Sequence, residues 1–213
     1  ERAALELPLA GEPLPTAQGL RLPFGTQVEQ WEAHRDGLLE VQDCGSQLAC
    51  EAVAATAGET VIDLCAGAGG KTLALAAAMT NAGTLIAADT DRGRLSRLTP
   101  RAARAGALVA ETVLLDPGRE LAALSAWRGK ADAVLVDAPC SGTGTWRRNP
   151  EARWRLAPND LEQFTRIQAR LLEIASELVR PGGRLVYVVC SLLDAEGSAQ
   201  AERFLNARQG WRA

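Results

Sequence analysis

At 213 residues, 47% hydrophobic and 23% charged, the chain holds enough apolar side chains for one full core with at most a small appendage. No run approaches the roughly 18 apolar residues that a membrane span requires, and the N-terminus lacks the basic-then-apolar pattern of a secretory signal, so a cytoplasmic protein with no membrane partner is expected. Net charge is only −3, yet residues 1–60 carry ten acids and three bases against 16 acids and 20 bases in the rest, a mild basic bias compatible with a nucleic-acid partner or with solubility alone. The five cysteines, Cys44, Cys50, Cys65, Cys140 and Cys190, with the single His34, make neither a zinc spacing nor an even disulfide set. Free thiols in a reducing compartment and no metal site are therefore expected. The chain opens on Glu1 rather than Met, which suggests a piece of a longer or processed protein.

Residues 1–27 contain Pro8, Pro13, Pro15 and Pro23 with Gly11, Gly19 and Gly25, too much punctuation for a packed helix, so an irregular or short-stranded extension is expected. Residues 38–43 predict an edge strand. Residues 46–56 predict a helix with Leu48, Ala49, Ala52 and Val53 on one face, ended by Gly58. Next comes the stretch on which the chain is organised, residues 61–72 (Val-Ile-Asp-Leu-Cys-Ala-Gly-Ala-Gly-Gly-Lys-Thr). A short apolar strand runs into a loop of three glycines, and Lys71 opens an Ala/Leu-rich helix, an arrangement that lets backbone approach a ligand closely.

Three readings compete for this loop. A P-loop would need a glycine where Cys65 stands, and a dinucleotide fingerprint would need its third glycine at Thr72. An S-adenosylmethionine (SAM) loop needs an acid at the strand end and a glycine turn, which Asp63 and Gly67 to Gly70 supply. The loop alone leaves SAM, a nucleotide and a purely structural turn open.

The second strand, residues 84–88, ends in Asp89, where a carboxylate can accept ribose hydroxyls; the alternative is a helix cap, a place that Asp91 fills better. Asp91 then starts an Arg-rich helix to about Arg104. A third strand, residues 108–115, leads to Asp116, and a fourth, residues 131–136, ends in Asp137. A helix over residues 160–179 shows one apolar stripe of Leu161, Phe164, Ile167, Leu171, Ile174 and Leu178, stopped by Pro181-Gly182-Gly183. The fifth strand, residues 184–189, ends at Cys190-Ser191, and a last helix covers residues 198–207. Strand and helix alternate, which predicts an α/β, Rossmann-like fold: a mostly parallel sheet, helices on both faces, strand ends lining one crevice. Five strands are expected, without the antiparallel hairpin that would complete such a sheet.

Two cysteines enter that crevice, Cys140 after the fourth strand and Cys190 after the fifth. Packing as small hydrophobes is one account, and a redox pair is another, although Cys-x-x-Cys spacing is absent. A third is covalent catalysis: a thiolate added to C6 of a pyrimidine turns the inert C5 into a carbon able to attack a methyl donor. The thiol pKa must then be lowered by neighbouring cations, for which Lys71 or the arginines after Cys140 are candidates. Those arginines, Arg147, Arg148, Arg153 and Arg155, lie with Trp146 and Trp154 beside Cys140, a pattern for gripping RNA phosphates and stacking on a base, or for a solvated basic loop.

At this point the residues resemble the RNA 5-methylcytosine methyltransferases of the Sun type (ribosomal RNA small-subunit methyltransferase B-like). Asp63 to Thr72 is similar to the family's Asp-x-Cys-Ala-Ala-Pro-Gly-Gly-Lys-Thr loop, and residues 137–144 match Asp-Ala-Pro-Cys-Ser-Gly-Thr-Gly without substitution. Val41-Gln42-Asp43 with Ser46-Gln47 resembles its entry segment, and Tyr187 to Ser191 its Tyr-x-Thr-Cys-Ser strand end. Gly67-Ala68 departs from Ala-Pro, and Val189 stands where Thr often precedes the nucleophile.

The resemblance implies a class I SAM-dependent methyltransferase, with residues 1–40 an extension and residues 41–213 the methyltransferase domain. It implies a SAM-dependent RNA cytosine-C5 methyltransferase, with 16S ribosomal RNA as the expected substrate. By the same likeness Cys190 is the nucleophile and Cys140 assists breakdown of the adduct. Cys65, Ala66, Gly67, Ala68, Gly69, Gly70 and Lys71 line the cofactor, Asp89 takes the ribose, and Asp116 lies near the adenine. Asp137 lies near both the methionine and the target base. A P-loop-like nucleotide hydrolase and a non-catalytic RNA-binding module are the alternatives.

Overall fold

The protein is described by a computed structural model covering residues 6–157 and 159–213. Its proline-rich opening forms a two-residue antiparallel ribbon, β1 (Glu12–Pro13) with β2 (Leu20–Arg21), followed by the short helix α1 (Glu32–Arg35). Then come α2 (Cys44–Val53), β3 (Thr60–Asp63), α3 (Gly70–Ala78) and β4 (Thr84–Asp89). The middle of the chain forms α4 (Arg92–Leu95), α5 (Leu98–Arg104), β5 (Glu111–Leu114), α6 (Glu120–Ala123) and β6 (Ala131–Asp137). It closes with α7 (Ala152–Arg155), α8 (Asp160–Leu178), β7 (Val179–Val188) and α9 (Ser198–Ala207).

Among the described residues the central sheet has five strands, all parallel, in the order β5-β4-β3-β6-β7. Side chains alternate across it, and both faces are covered. Ile62, Leu64, Ile86, Val134 and Val136 pack in one cluster with Leu171, Ile174 and Leu178 of α8. Val61, Leu85, Ala133 and Leu135 pack on the other side with Val53 of α2 and Leu75, Ala76 and Met79 of α3. Burial on both faces explains why the strands read as continuous apolar runs rather than alternating ones. This is the Rossmann-like, doubly wound arrangement expected from strand–helix alternation.

Several local expectations are corrected. Residues 38–43 form no strand. The Glu40 carboxylate accepts hydrogen bonds from Arg101 and Arg104 of α5, so this segment is held by side chains rather than by the sheet. The helix placed at residues 46–56 starts at Cys44, where the Asp43 side chain caps it by accepting from Gly45 N–H, and it ends at Ala54 in a left-handed conformation. Its buried residues are Cys50 and Val53, whereas Leu48 is exposed.

The single helix expected after Asp91 is two. Asp91 caps α4 by accepting from Arg94 N–H, but Pro100 cannot donate to the Ser96 carbonyl and its ring would clash there, so the chain breaks and restarts as α5. The third strand is shorter than expected, and α6 lies between it and β6. Opposite β6, the chain of β7 bulges through Pro181-Gly182-Gly183 before register resumes at Ala133↔Arg184.

Leu135 is wholly buried between sheet and helices, whereas Leu108 is 67% exposed. Truncating Leu135 to alanine should cost about 2–5 kcal/mol, and Leu108→Ala should stay within about 0.5 kcal/mol. Urea unfolding of the two variants is the measurement.

Candidate active site

The sheet grows outward in two directions from β3 and β6, and the crevice of such a sheet lies beyond the carboxyl ends of the strands where this reversal occurs. The chain leaving β3 turns through Gly67 and Gly69, both with positive φ, 56° and 88°. Any side chain at Gly69 would be strained, and its Cβ would stand 2.8 Å from Leu98 Cγ. Gly67 N–H donates to Asp89 Oδ2 at 2.7 Å, while Asp91 N–H donates to Asp89 Oδ1 at 2.7 Å. Asp89 is therefore tied to the glycine loop, and each of its oxygens keeps a second lone pair for a ligand hydroxyl. Arg101 Nη1 donates to the Ala68 carbonyl at 2.7 Å and fixes the loop from its other side.

Asp63 ends β3 completely buried. Its Oδ2 accepts from the Thr72 hydroxyl at 2.7 Å, but Oδ1 has no hydrogen-bond partner among the described residues. Burial pushes its pKa up to about 7, and the charges of Asp137 and Asp89 add to that rise. An orphaned acceptor is costly unless something donates to it. Lys71 turns away from the loop, its Nζ forming an ion pair with Asp137 at 2.7 Å and donating to Ser46 Oγ at 3.3 Å. Asp116 is exposed beyond the end of β5. Cys65 is half-buried, and its thiol is pushed well up, first by burial and then by the surrounding carboxylates.

Cys140 and Cys190 meet. Their sulfurs are 3.4 Å apart, with Cys190 exposed and Cys140 half-buried. The Cys190 pKa is lowered to about 7, chiefly by the hydrogen bond with Cys140, against the opposing effects of burial and Asp137. The Cys140 thiol is driven far up by the same bond and by burial. The pair shares one proton, so its first ionisation is easy and its second hard. Lys71 lowers the Cys190 pKa further, as expected of a nearby cation, but its effect is smaller than that of the neighbouring thiol. The arrangement can present a thiolate at neutral pH in reach of solvent.

The basic loop next to Cys140 is partly engaged. Arg148 pairs with Asp43, Arg155 lies 3.7 Å from Glu151, and Arg153 sits 4.7 Å above the ring of Trp154, itself 78% exposed. Arg147 is exposed, and Trp146 is half-buried.

Sequence reasoning missed two residues here. Arg94 places its guanidinium against Gly67, 2.4 Å from where a Cβ would stand; the clue available was the Asp91 cap, which aims α4 at the loop. Glu196 is fully buried and accepts from Ser141 N–H at 2.9 Å, and nothing in its local sequence signals that contact. A surface depression of about 680 Å³ among Glu29, His34, Glu40, Arg101 and Arg104 contains none of the predicted site residues.

The family model described as 16S rRNA methyltransferase RsmB/F matches residues 51–213. A probable ribosomal RNA small subunit methyltransferase B from Synechocystis sp. is 34% identical over 92% of this chain and 44% of its own length. The ribosomal RNA small subunit methyltransferase B of Salmonella arizonae is 36% identical over 87% of this chain and 42% of its own. The chain thus spans less than half the length of the curated relatives it matches. Among solved structures, PH0851 superposes with a TM-score of 0.83 at 35% identity, covering 91% of this chain and 43% of that one. NSun6 from Pyrococcus horikoshii with SFG gives 0.76 at 27% identity, over 88% of this chain and 46% of that one. These likenesses give the sheet its class, the class I fold of SAM-dependent methyltransferases.

Removing Cys140 removes the leading cause of Cys190 acidity. In Cys140→Ala the midpoint for alkylation of Cys190 by iodoacetamide should therefore rise from about 7 toward the ordinary value of 9.0. The thiolate reacts and the thiol does not, so in both proteins the rate climbs with pH. Peptide-resolved mass spectrometry across pH reads the two midpoints, and a midpoint still near 7 would assign the acidity elsewhere.

Proposed function

Because this chain belongs to the 16S rRNA methyltransferase RsmB/F family, we propose that it is a SAM-dependent RNA methyltransferase that modifies C5 of a cytosine in 16S ribosomal RNA through a covalent cysteine adduct. The single observation that carries the mechanism is the contact of two sulfurs at the crevice, one of them acidic. On this reading residues 41–213 are the transferase unit, residues 1–40 an extension to it, and the protein works in the cytoplasm. No helix among the described residues is long and apolar enough to cross a membrane.

The chain's own groups fit the cofactor. The glycine loop from Cys65 to Gly70 would receive the methionine part, and the partnerless Asp63 Oδ1 offers an acceptor for an amino group. Asp89 would take the ribose hydroxyls and Asp116 would flank the adenine. The solved relative NSun6 was determined with SFG, a SAM analogue. When bound, SAM supplies an electrophilic methyl group.

The residues then divide the work. Cys190 as thiolate forms an S–C6 bond with the cytosine, and the displaced electron pair of the C5=C6 bond makes C5 nucleophilic. Asp137, steadied by Lys71, would accept from the cytosine N4 amino group, and a proton carried on its carboxyl would be donated to N3 as negative charge builds there. After C5 is methylated its proton must leave and the S–C6 bond must break, returning the electron pair to the ring.

Cys140 suits that second half. Its thiol is held protonated mainly by the hydrogen bond with Cys190, and that partner is spent once Cys190 is alkylated. Its pKa then falls toward that of an ordinary cysteine, and it becomes able to assist proton removal. Arg147, Arg148, Arg153 and Arg155 would hold phosphates while Trp154 stacks on a base drawn from the RNA strand.

The P-loop alternative loses its key group, because Lys71 is committed to Asp137 rather than left for phosphates. A non-catalytic RNA-binding role would make no use of an acidic thiol pair.

Three measurements test the reading. Calorimetric titration should show binding of SAM and none of magnesium-ATP; the reverse would overturn the cofactor assignment. With small-subunit ribosomal RNA, Cys190→Ala should lose methyl transfer by at least about a hundredfold, as expected for removal of a covalent nucleophile. Cys140→Ala should accumulate a protein–RNA adduct on a denaturing gel, and its absence would remove the role given to Cys140.

A further inference from the structure

The two cysteine loops belong to different strands and touch each other through a small set of polar contacts. Residues 139–144 leave β6, and residues 189–193 leave β7. Direct bonds between them are few: Gly144 N–H donates to the Cys190 carbonyl at 3.0 Å, Leu192 N–H donates to Thr143 Oγ1 at 2.8 Å, and the Ser191 hydroxyl lies 3.1 Å from Thr143 Oγ1 and 3.2 Å from Ser141 Oγ. Beneath them sits Glu196, on the turn that leads into α9, with no exposed surface.

A carboxylate removed from water is tolerated only when donors surround it. Here one oxygen accepts from Ser141 N–H at 2.9 Å and from Gln168 Nε2 at 3.0 Å, and the other accepts from the Ser141 hydroxyl. Burial raises the Glu196 pKa, but the hydrogen bonds it accepts, from Ser141 and Gln168 among them, outweigh that and hold the group below the usual carboxylate range. The same Gln168 amide donates to the Pro139 carbonyl at 2.9 Å, and Tyr187 of β7 donates its hydroxyl to the Glu196 carbonyl at 2.5 Å. Gln200 then ties α9 to α8 by donating to the Thr165 carbonyl at 2.7 Å. Glu196 thus joins the residue after Cys140 to the long helix behind both loops, and it reaches the residue after Cys190 through the Ser141 hydroxyl, which lies 3.2 Å from Ser191 Oγ.

We propose that Glu196 is a positioning residue of the thiol pair: its buried carboxylate sets the separation of Cys140 and Cys190, acting through Ser141 and Ser191 without touching substrate. The proposal rests on the catalytic reading for its purpose, though not for its geometry. Glutamine fits the same volume but replaces one oxygen with an NH₂ group. In that pocket the NH₂ would face either Gln168 Nε2 and Ser141 N–H, which both lose their acceptor, or the Ser141 hydroxyl, which must turn round and accept from a neutral amide; either way the charged tie to the Ser141 loop is lost and the loops separate.

The sulfur contact itself supplies a readout that needs no RNA. Diamide takes the two thiol hydrogens, is reduced to the hydrazine, and leaves a Cys140–Cys190 disulfide, at a rate set by how often the sulfurs meet. In Glu196→Gln this rate should fall by about tenfold or more relative to wild type, the scale of one lost charged hydrogen bond, and Ser141→Ala should fall between the two. A purely structural role would lower the thermal midpoint while leaving cross-linking in the folded protein unchanged. A folded Glu196→Gln that cross-links within about twofold of wild type, a difference smaller than a typical hydrogen bond, overturns the proposal. If that variant does not fold, an unchanged rate in Ser141→Ala does so. Wild-type protein that cross-links rapidly yet transfers no methyl to RNA would sink the catalytic reading and leave the clamp standing.

Discussion

Parallel pairing of β6 with β7, in the register that puts Asp137 opposite Val188, is the constraint on which the crevice depends. Cys140 follows the end of one strand and Cys190 the end of the next, so the register decides whether their sulfurs touch. A slip of one residue would turn every β7 side chain to the opposite face. The chain guards against it with a wholly apolar β6 core between the two helical layers and with the bulge near Gly183, where any Cβ would collide with Ala131 and Asp132 carbonyl oxygens. Pairing of β3 with β6 on the other side then sets the glycine loop beside this thiol pair.

Three carboxylates crowd the same strand ends, and each is accommodated differently. Asp89 is held by two backbone amides and Asp137 by Lys71, while Asp63 has one hydroxyl donor and a pKa raised toward neutrality. Their mutual repulsion is visible in the rise of Asp63 and in the opposing effect of Asp137 on Cys190. An acidic pocket of this kind suits a cationic ligand, and the sulfonium of SAM is one. The acidity of Cys190 survives in that field because its partner is a thiol one contact away, a short-range effect that distant charges do not cancel.

Much of this was legible along the chain because it is encoded locally. The glycine loop, the acids at the ends of β3, β4, β5 and β6 and the run from Asp137 to Gly144 are local in the sequence, and the places of β3, β4, β6 and the last helix follow from apolar spacing. What stayed hidden depends on residues far apart in sequence. Glu196 meets Ser141 across two helices and a strand, and no pattern around either residue announces it. The Arg94 contact with Gly67 needs the direction of α4, which only the folded chain supplies. Residues 38–43 alternate like a strand, but Glu40 found two arginines and the sheet edge was never required. The break in the Arg-rich helix has a local cause in Pro100, whose missing N–H and ring act on the Ser96 carbonyl one turn earlier. On α2, Val53 turns inward as its apolar spacing implies, but its buried companion is Cys50, while Leu48 and Ala52 face outward despite being apolar.

The strand order has a consequence for how the chain assembles. β3, β4 and β5 can join as they emerge, since each pairs with its successor, but the other edge of β3 stays open until β6 is made. That delay carries the loop-closure entropy of all the intervening chain, and it leaves an apolar strand edge available for wrong partners. The thiol pair is later still, because β7 must follow the long α8 before Cys190 can reach Cys140. Reactivity is therefore the last property this domain acquires, and partly folded chains keep their cysteines at ordinary acidity.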